Sequence, residues 1–192
     1  MRDDKRLGTD DWLRAARLAL LHDGPAGVRV EKLARDLKVT KGSFYWHFRD
    51  RGELLEALLR EWEAETTMLF SETSRKDTMQ TGIAWLLDEV GRRVVGSERG
   101  EIPSDAAMFG WAAVSPPVAK RVKRVEEQRI TFLAGVAGSR ERALVAYLAY
   151  VGFIMRRRRV PGMSETFPAV AAAMLELLGP AAAPAKRPRR IS

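Results

Sequence analysis

Apolar positions recur at three- and four-residue spacing along nearly the whole chain, and no stretch alternates with period two between turn residues. This pattern predicts an all-α fold of about nine helices. A first helix is expected to start at Thr9, with Asp10 and Asp11 where the helix dipole favours acids. It would bury Trp12, Ala15, Ala16, Ala19 and Leu20 and end at Asp23, Gly24 and Pro25. A short second helix carries Val30, Leu33, Ala34 and Leu37. Only Lys38, Val39 and Thr40 separate it from a third, KGSFYWHF, which Thr40 can cap and in which Phe44 and Phe48 share the inward face. Arg51 to Phe70 reads as a longer helix with Leu55, Leu58, Leu59, Trp62 and Leu69 as its stripe. Further helices are expected around Met79 to Val94, Pro103 to Val114, Pro116 to Ala137, Ser139 to Arg159, and from Ser164 or Thr166 to Leu178.

A length of 192 residues corresponds to one domain, or a small module fused to a larger one. The divisions expected are 1–52, 53–179 and a basic tail 180–192 with too little large apolar surface to fold. With 46% hydrophobic and 30% charged residues the composition is that of a globular protein in water, and zero cysteines exclude disulfides, thiolate metal sites and cysteine nucleophiles. The expected location is cytoplasmic, since the charged start is unlike a secretory signal and no run reaches the ~18 apolar residues of a membrane span. The net charge is +8, and the block Arg156 to Arg159 with Lys186, Arg187, Arg189 and Arg190 accounts for all of it. Bulk charge therefore does not identify a partner. The arginine block reads as the solvated end of a helix, and the tail as a possible source of salt-sensitive, sequence-blind DNA affinity.

Two short helices joined by a three-residue turn and held by a preceding longer helix form a helix-turn-helix, whose second helix can enter the major groove. With Phe44 and Phe48 inward, the other surface presents Lys41, Gly42, Ser43, Tyr45, Trp46 and His47. Lys41 and Ser43 are placed for base edges, and the hydroxyls of Thr40 and Tyr45 and the ring of His47 suit phosphate oxygens. The competing reading makes the two outer aromatics core and His47 an ordinary surface residue.

The segment VRVEKLARDLKVTKGSFYWHFRDRGELLEALL resembles the amino-terminal DNA-binding domain of the TetR family of bacterial transcriptional regulators. The match is strongest over VTKGSFYWHF followed by Arg51, Glu53, Leu54 and Leu55, and it covers roughly the first third of the chain. The resemblance implies backbone contacts from Thr40, Tyr45, His47 and Arg51, and base reading by Lys41, Gly42 and Ser43. It puts Trp46 on backbone or a thymine methyl, and lets Arg29 replace a phosphate contact that the family often makes with threonine. Two departures stand out. Lys38 occupies a turn position usually held by glycine, at a cost of roughly 1–2 kcal/mol if it takes the left-handed region. Glu31 stands where some members place a basic base-reading residue.

A regulator of this kind is expected to bind a palindromic operator as a homodimer and to act as a repressor released by a small-molecule effector. Candidate dimer residues are Leu144, Tyr147, Leu148, Val151, Ile154 and Met155 on one helix and Phe167, Val170, Met174 and Leu178 on the last, although burial within one chain must use some of them. Candidate effector residues are Met79, Trp85, Met108, Phe109, Trp111, Phe132 and Phe153. Few charges accompany them, so an apolar or aromatic effector is expected; ordinary core is the competing reading. No metal or cofactor is expected. The alternatives are a helical protein-interaction module without specific DNA binding, or an enzyme using carboxylates. The second is disfavoured by two distant histidines and by the lack of HExxH, GxSxG, GxGxxG and phosphate-loop motifs.

Overall fold

Gly8, rather than Thr9, caps the first helix: its N–H donates to the Asp11 carboxylate at 2.9 Å, and its carbonyl accepts from the Asp11 N–H. Thr9 is thereby freed, and its hydroxyl meets His47 Nδ1 at 3.3 Å. In the computed structural model, which describes residues 7–96, 104–160 and 162–179, α1 runs from Thr9 to Gly27. It breaks at Gly24, where φ is +67°, so that Pro25 opens a last short turn instead of ending the helix. The remaining helices are α2 (Val30–Asp36), α3 (Lys41–Tyr45), α4 (Arg51–Ser74), α5 (Met79–Gly96), α6 (Ser104–Ala112), α7 (Pro116–Ala137), α8 (Arg140–Arg159) and α9 (Phe167–Leu178). No strand occurs among the described residues. The expected basic tail lies outside them.

The turn between α2 and α3 closes as a Schellman motif, with Val39 N–H on Ala34 O at 2.9 Å and Lys38 N–H on Arg35 O at 3.0 Å. Such a motif requires a left-handed residue, and here Lys38 supplies it with φ of +58°. Thr40 then sits at the N-cap of α3 in extended conformation, but its hydroxyl makes no capping hydrogen bond. Asp50 and Ser139 do cap their helices, accepting from Glu53 N–H and Arg142 N–H. α4 runs one turn past the expected end, to Ser74, because Thr66, Thr73 and Leu69 continue its inward stripe.

Two packing centres follow. Around the first, Trp12, Ala16 and Leu20 of α1 pack with Leu33, Phe44, Phe48, Leu54 and Leu58, and the same core continues into Met108 and Trp111 of α6 and Val118 and Val122 of α7. It therefore crosses the boundary expected between residues 52 and 53. Trp12 lies fully buried edge-on to Phe44, and its indole N–H has no hydrogen-bond partner among the described residues. The second centre joins α5, α7, α8 and α9 through Ile83, Leu86, Leu133, Ala146, Tyr147 and Met174. At the far end of α8, Arg158 donates to Leu21 O on α1 and Ala106 O on α6. One guanidinium of the arginine block is thus a tether between α8 and the amino-terminal helix. Arg156 pairs with Glu165 at 3.0 Å.

Candidate nucleic-acid interface and central cavity

α3 has five residues, far fewer than an isolated helix needs, so its position depends on what its inner side touches. Phe44 is fully buried between Trp12, at 5.2 Å, and Phe48, at 5.5 Å. With that side anchored, Thr40, Lys41, Gly42, Tyr45 and Trp46 are exposed together and Ser43 is half-buried beside them. Tyr45 is 57% exposed and Trp46 88%, which removes the reading of these rings as core. Arg29 is exposed at the N-cap of α2.

Three expected contact residues are engaged elsewhere, among them the half-buried His47, whose Nδ1 lies 3.3 Å from the Thr9 hydroxyl. Arg51 Nε donates to Val28 O at 2.6 Å, and its Nη2 donates to Pro25 O, so its guanidinium binds the carbonyls of the α1–α2 connection. These helix-end carbonyls bind the guanidinium through charge-assisted hydrogen bonds, the Pro25 oxygen in addition to its bond from Val28 N–H. Lys41 Nζ lies 2.5 Å from the Glu31 carboxylate, both exposed. Its hydrogen bond and charge hold the Glu31 carboxyl below its ordinary range and raise the Lys41 ammonium. Glu31 therefore competes with DNA for Lys41.

A cavity of about 390 Å³ lies between α1, α4, α5, α6, α7, α8 and α9. Its apolar wall includes Leu18, Met68, Leu69, Leu86, Val90 and Met174, and six charged side chains join it: Arg14, Arg17, Glu65, Arg93, Asp105 and Arg129. Asp105 is the centre of a buried cluster. It accepts from Arg129 Nη1 at 2.7 Å, Arg129 Nη2 at 3.0 Å, Tyr150 Oη at 2.6 Å and Trp62 Nε1, while Arg129 also donates to Thr66 Oγ1 at 2.9 Å. Burial acts to raise the Asp105 carboxyl, but the Arg129 charge and these hydrogen bonds outweigh it and hold it below the ordinary carboxylate value. Burial and the neighbouring Asp105 push the Tyr150 hydroxyl well up, so it stays a donor. Burial likewise raises Glu126, which accepts from Tyr147 Oη at 3.3 Å. Among the described residues no group of three or more His, Cys, Asp or Glu could hold a metal ion, and no described helix is long and apolar enough to cross a membrane.

Residues 13–58 match the sequence profile of bacterial regulatory proteins, TetR family. Over these residues the chain is similar to the DNA-binding domain of that family. Solved structures share the fold of this chain along most of their length. A transcriptional regulator from Rhodococcus sp. Rha1 superposes with a TM-score of 0.66 at 17% identity, covering 90% of this chain and 94% of the other. A TerR/AcrR-family regulator from Aquifex aeolicus VF5 gives 0.60 at 18%, covering 88% and 96%. A protein described as a TetR-family regulator from Mesorhizobium loti MAFF303099 gives 0.55 at 16%, covering 93% and 95%. A sequence search of curated proteins returns no match.

The effector residues expected from sequence do not line the cavity. Met108 and Trp111 are buried in the first core, beneath α1. Phe132 stacks on Phe70 at 4.1 Å, Phe153 packs on Phe167 at 5.5 Å, and Phe109 packs against the first core and against a smaller cluster of Val94, Phe153, Ile154 and Phe167. Trp85 lies under Lys76 Nζ, and Met79 is exposed. Six charged side chains stand on the cavity wall, where few were expected around the effector candidates. The signal available in the sequence was polar residues in inward register: Arg129 continues Val118, Val122 and Val125, Thr66 continues Leu59 and Trp62, and Asp105 stands in the apolar run SDAAMFGWA. Among the dimer candidates, Tyr147, Ile154, Phe167, Met174 and Leu178 are buried in the chain's own core. Leu144 and Leu148 are exposed beside Val145, and Val151, Met155 and Val170 are half-buried.

Proposed function

We propose that this protein is a TetR-family repressor that binds a palindromic DNA operator as a homodimer and is released by a small molecule held in the central cavity, acting in the cytoplasm. The observation that carries the DNA reading is α3 with the turn after it: Phe44 and Phe48 are buried on one side, and Thr40, Gly42, Tyr45 and Trp46 are exposed on the other. Residues 1–52 serve as the DNA-binding unit, 53–179 as the effector and dimerisation unit, and 180–192 as a basic extension that adds sequence-blind affinity. Thr40, Gly42, Ser43, Tyr45 and Trp46 meet the duplex, with Arg29 and His47 at its phosphates and Lys41 reaching it by leaving Glu31. The half-sites then lie about one helical turn, or a multiple of it, apart.

The apolar strip of Leu144, Val145 and Leu148 on α8, beside the small residues Ala169, Ala172 and Ala173 exposed on α9, supports pairing of these two helices with their symmetry mates. Selection of bound duplexes from a random pool, with sedimentation at equilibrium, tests the proposal. A recovered inverted repeat and a dimer are expected. Binding indifferent to sequence would instead favour the protein-interaction reading.

A further inference from the structure

The charges on the cavity wall are unequal in availability, and that inequality selects a ligand class. Arg129 is neutralised by Asp105 at 2.7 Å, Arg17 by Glu61 at 2.5 Å, and Arg93 by Glu89 at 2.9 Å with Glu65 at 3.9 Å. Asp105 already accepts from three side chains. Arg14, exposed at the edge of the same cavity, has no ion-pair or hydrogen-bond partner among the described residues. An anion entering such a space loses hydration that must be replaced, and a free guanidinium replaces it with two charge-assisted hydrogen bonds. A cation would meet carboxylates that are already engaged.

We infer that the cavity takes an amphipathic anion, with an apolar body against Leu18, Leu69, Leu86, Val90 and Met174 and a single carboxylate or similar acidic group on Arg14. The inference rests on the effector reading above and gives that effector its chemistry. It also gives the effector a lever. Arg14 belongs to α1, whose neighbours Trp12 and Leu13 lie in the core that positions α3, whereas the apolar wall is largely α4, α5 and α9. A ligand spanning both stabilises whichever arrangement of head and bundle brings them together, and it shifts operator affinity only through that difference.

Isothermal titration of the full chain with decanoate, decan-1-ol and decyltrimethylammonium, each below its micellar concentration, tests this. Decanoate is expected to bind about tenfold tighter than decan-1-ol, the worth of about 1.4 kcal/mol, with decyltrimethylammonium weakest. Arg14→Gln should remove the decanoate advantage while leaving decan-1-ol within about twofold. Val90→Trp, which fills the cavity, should weaken decanoate and decan-1-ol alike. Tighter binding of the cation, a decanoate advantage that survives Arg14→Gln, or no binding of any probe would overturn the inference. Duplex selection on the same preparation is a separate readout: lost ligand binding with intact sequence preference sinks the ligand class alone, and lost sequence preference with intact decanoate binding sinks the regulator reading alone.

Discussion

The outer side of α3 and the Asp105 cluster both gather polar side chains, but they treat them oppositely. On α3 the polar and aromatic groups are left largely uncommitted in solvent, and two buried phenylalanines hold the helix from behind. Around Asp105 the carboxylate accepts from Arg129, Tyr150 and Trp62, and Thr66 takes a second hydrogen bond from Arg129. A surface that must bind something else keeps its donors available, and changes there cost little stability. A buried cluster has exchanged water for protein partners, so losing one member strands the others.

The largest effect expected is at Asp105. Asp105→Ala leaves a buried guanidinium, a phenol and an indole N–H without their acceptor and should cost about 3–5 kcal/mol in urea unfolding. A loss under about 1 kcal/mol would show that water reaches the cluster and would erase the contrast with α3. The pH dependence has a fixed sign. The folded-state carboxyl lies below its ordinary value of 3.8, so its contribution is complete above that value and is lost as pH falls through the folded-state value. The stability gap between wild type and Asp105→Asn should therefore stay constant from neutral pH down to that range and narrow below it.

Arg51→Ala comes next, removing hydrogen bonds to Pro25 and Val28 carbonyls. As they are partly exposed, the loss should fall near the lower end of the roughly 1.5–3 kcal/mol typical of bonds to charged groups. The salt dependence of DNA binding should not change; a slope shallower by about 0.9 would restore Arg51 as a phosphate contact. Tyr45→Ala or Trp46→Ala should move stability by no more than about 0.5 kcal/mol yet weaken operator binding about tenfold. Large destabilisation from either would place it in the core after all. The smallest effect is at Glu31: Glu31→Gln releases Lys41, so operator affinity at low salt should rise a few-fold and the salt slope steepen by about 0.9. An unchanged slope would mean that Lys41 never reaches a phosphate.

The amino-terminal module was legible because its decisive relations are short in sequence. Phe44 and Phe48 are four apart, the turn is three residues long, and the left-handed strain expected at Lys38 is there at φ of +58°. The cavity was not legible, because its wall draws on α1 and on α4 to α9, and its Arg129 and Arg17 find their carboxylates 24 and 44 positions away. Seven aromatic and methionine residues drew attention there by size, whereas the wall is built from others, among them Leu18, Leu86, Val90, Tyr150, Met174 and several arginines. The partners of Arg51 were hidden for a related reason: its type suits phosphate, but the α1–α2 connection supplies carbonyl acceptors more than twenty positions away.

From the order of residues alone came the helices, their approximate ends, and the family likeness of the first third, since periodicity, caps and turns are properties of neighbouring positions. Which apolar stripe turns inward within one chain and which remains for a partner, which arginine is neutralised and which is left free, was decided only when helices distant in sequence packed together. Burial and pairing are relations between surfaces, and a single helix does not contain the surface it will meet.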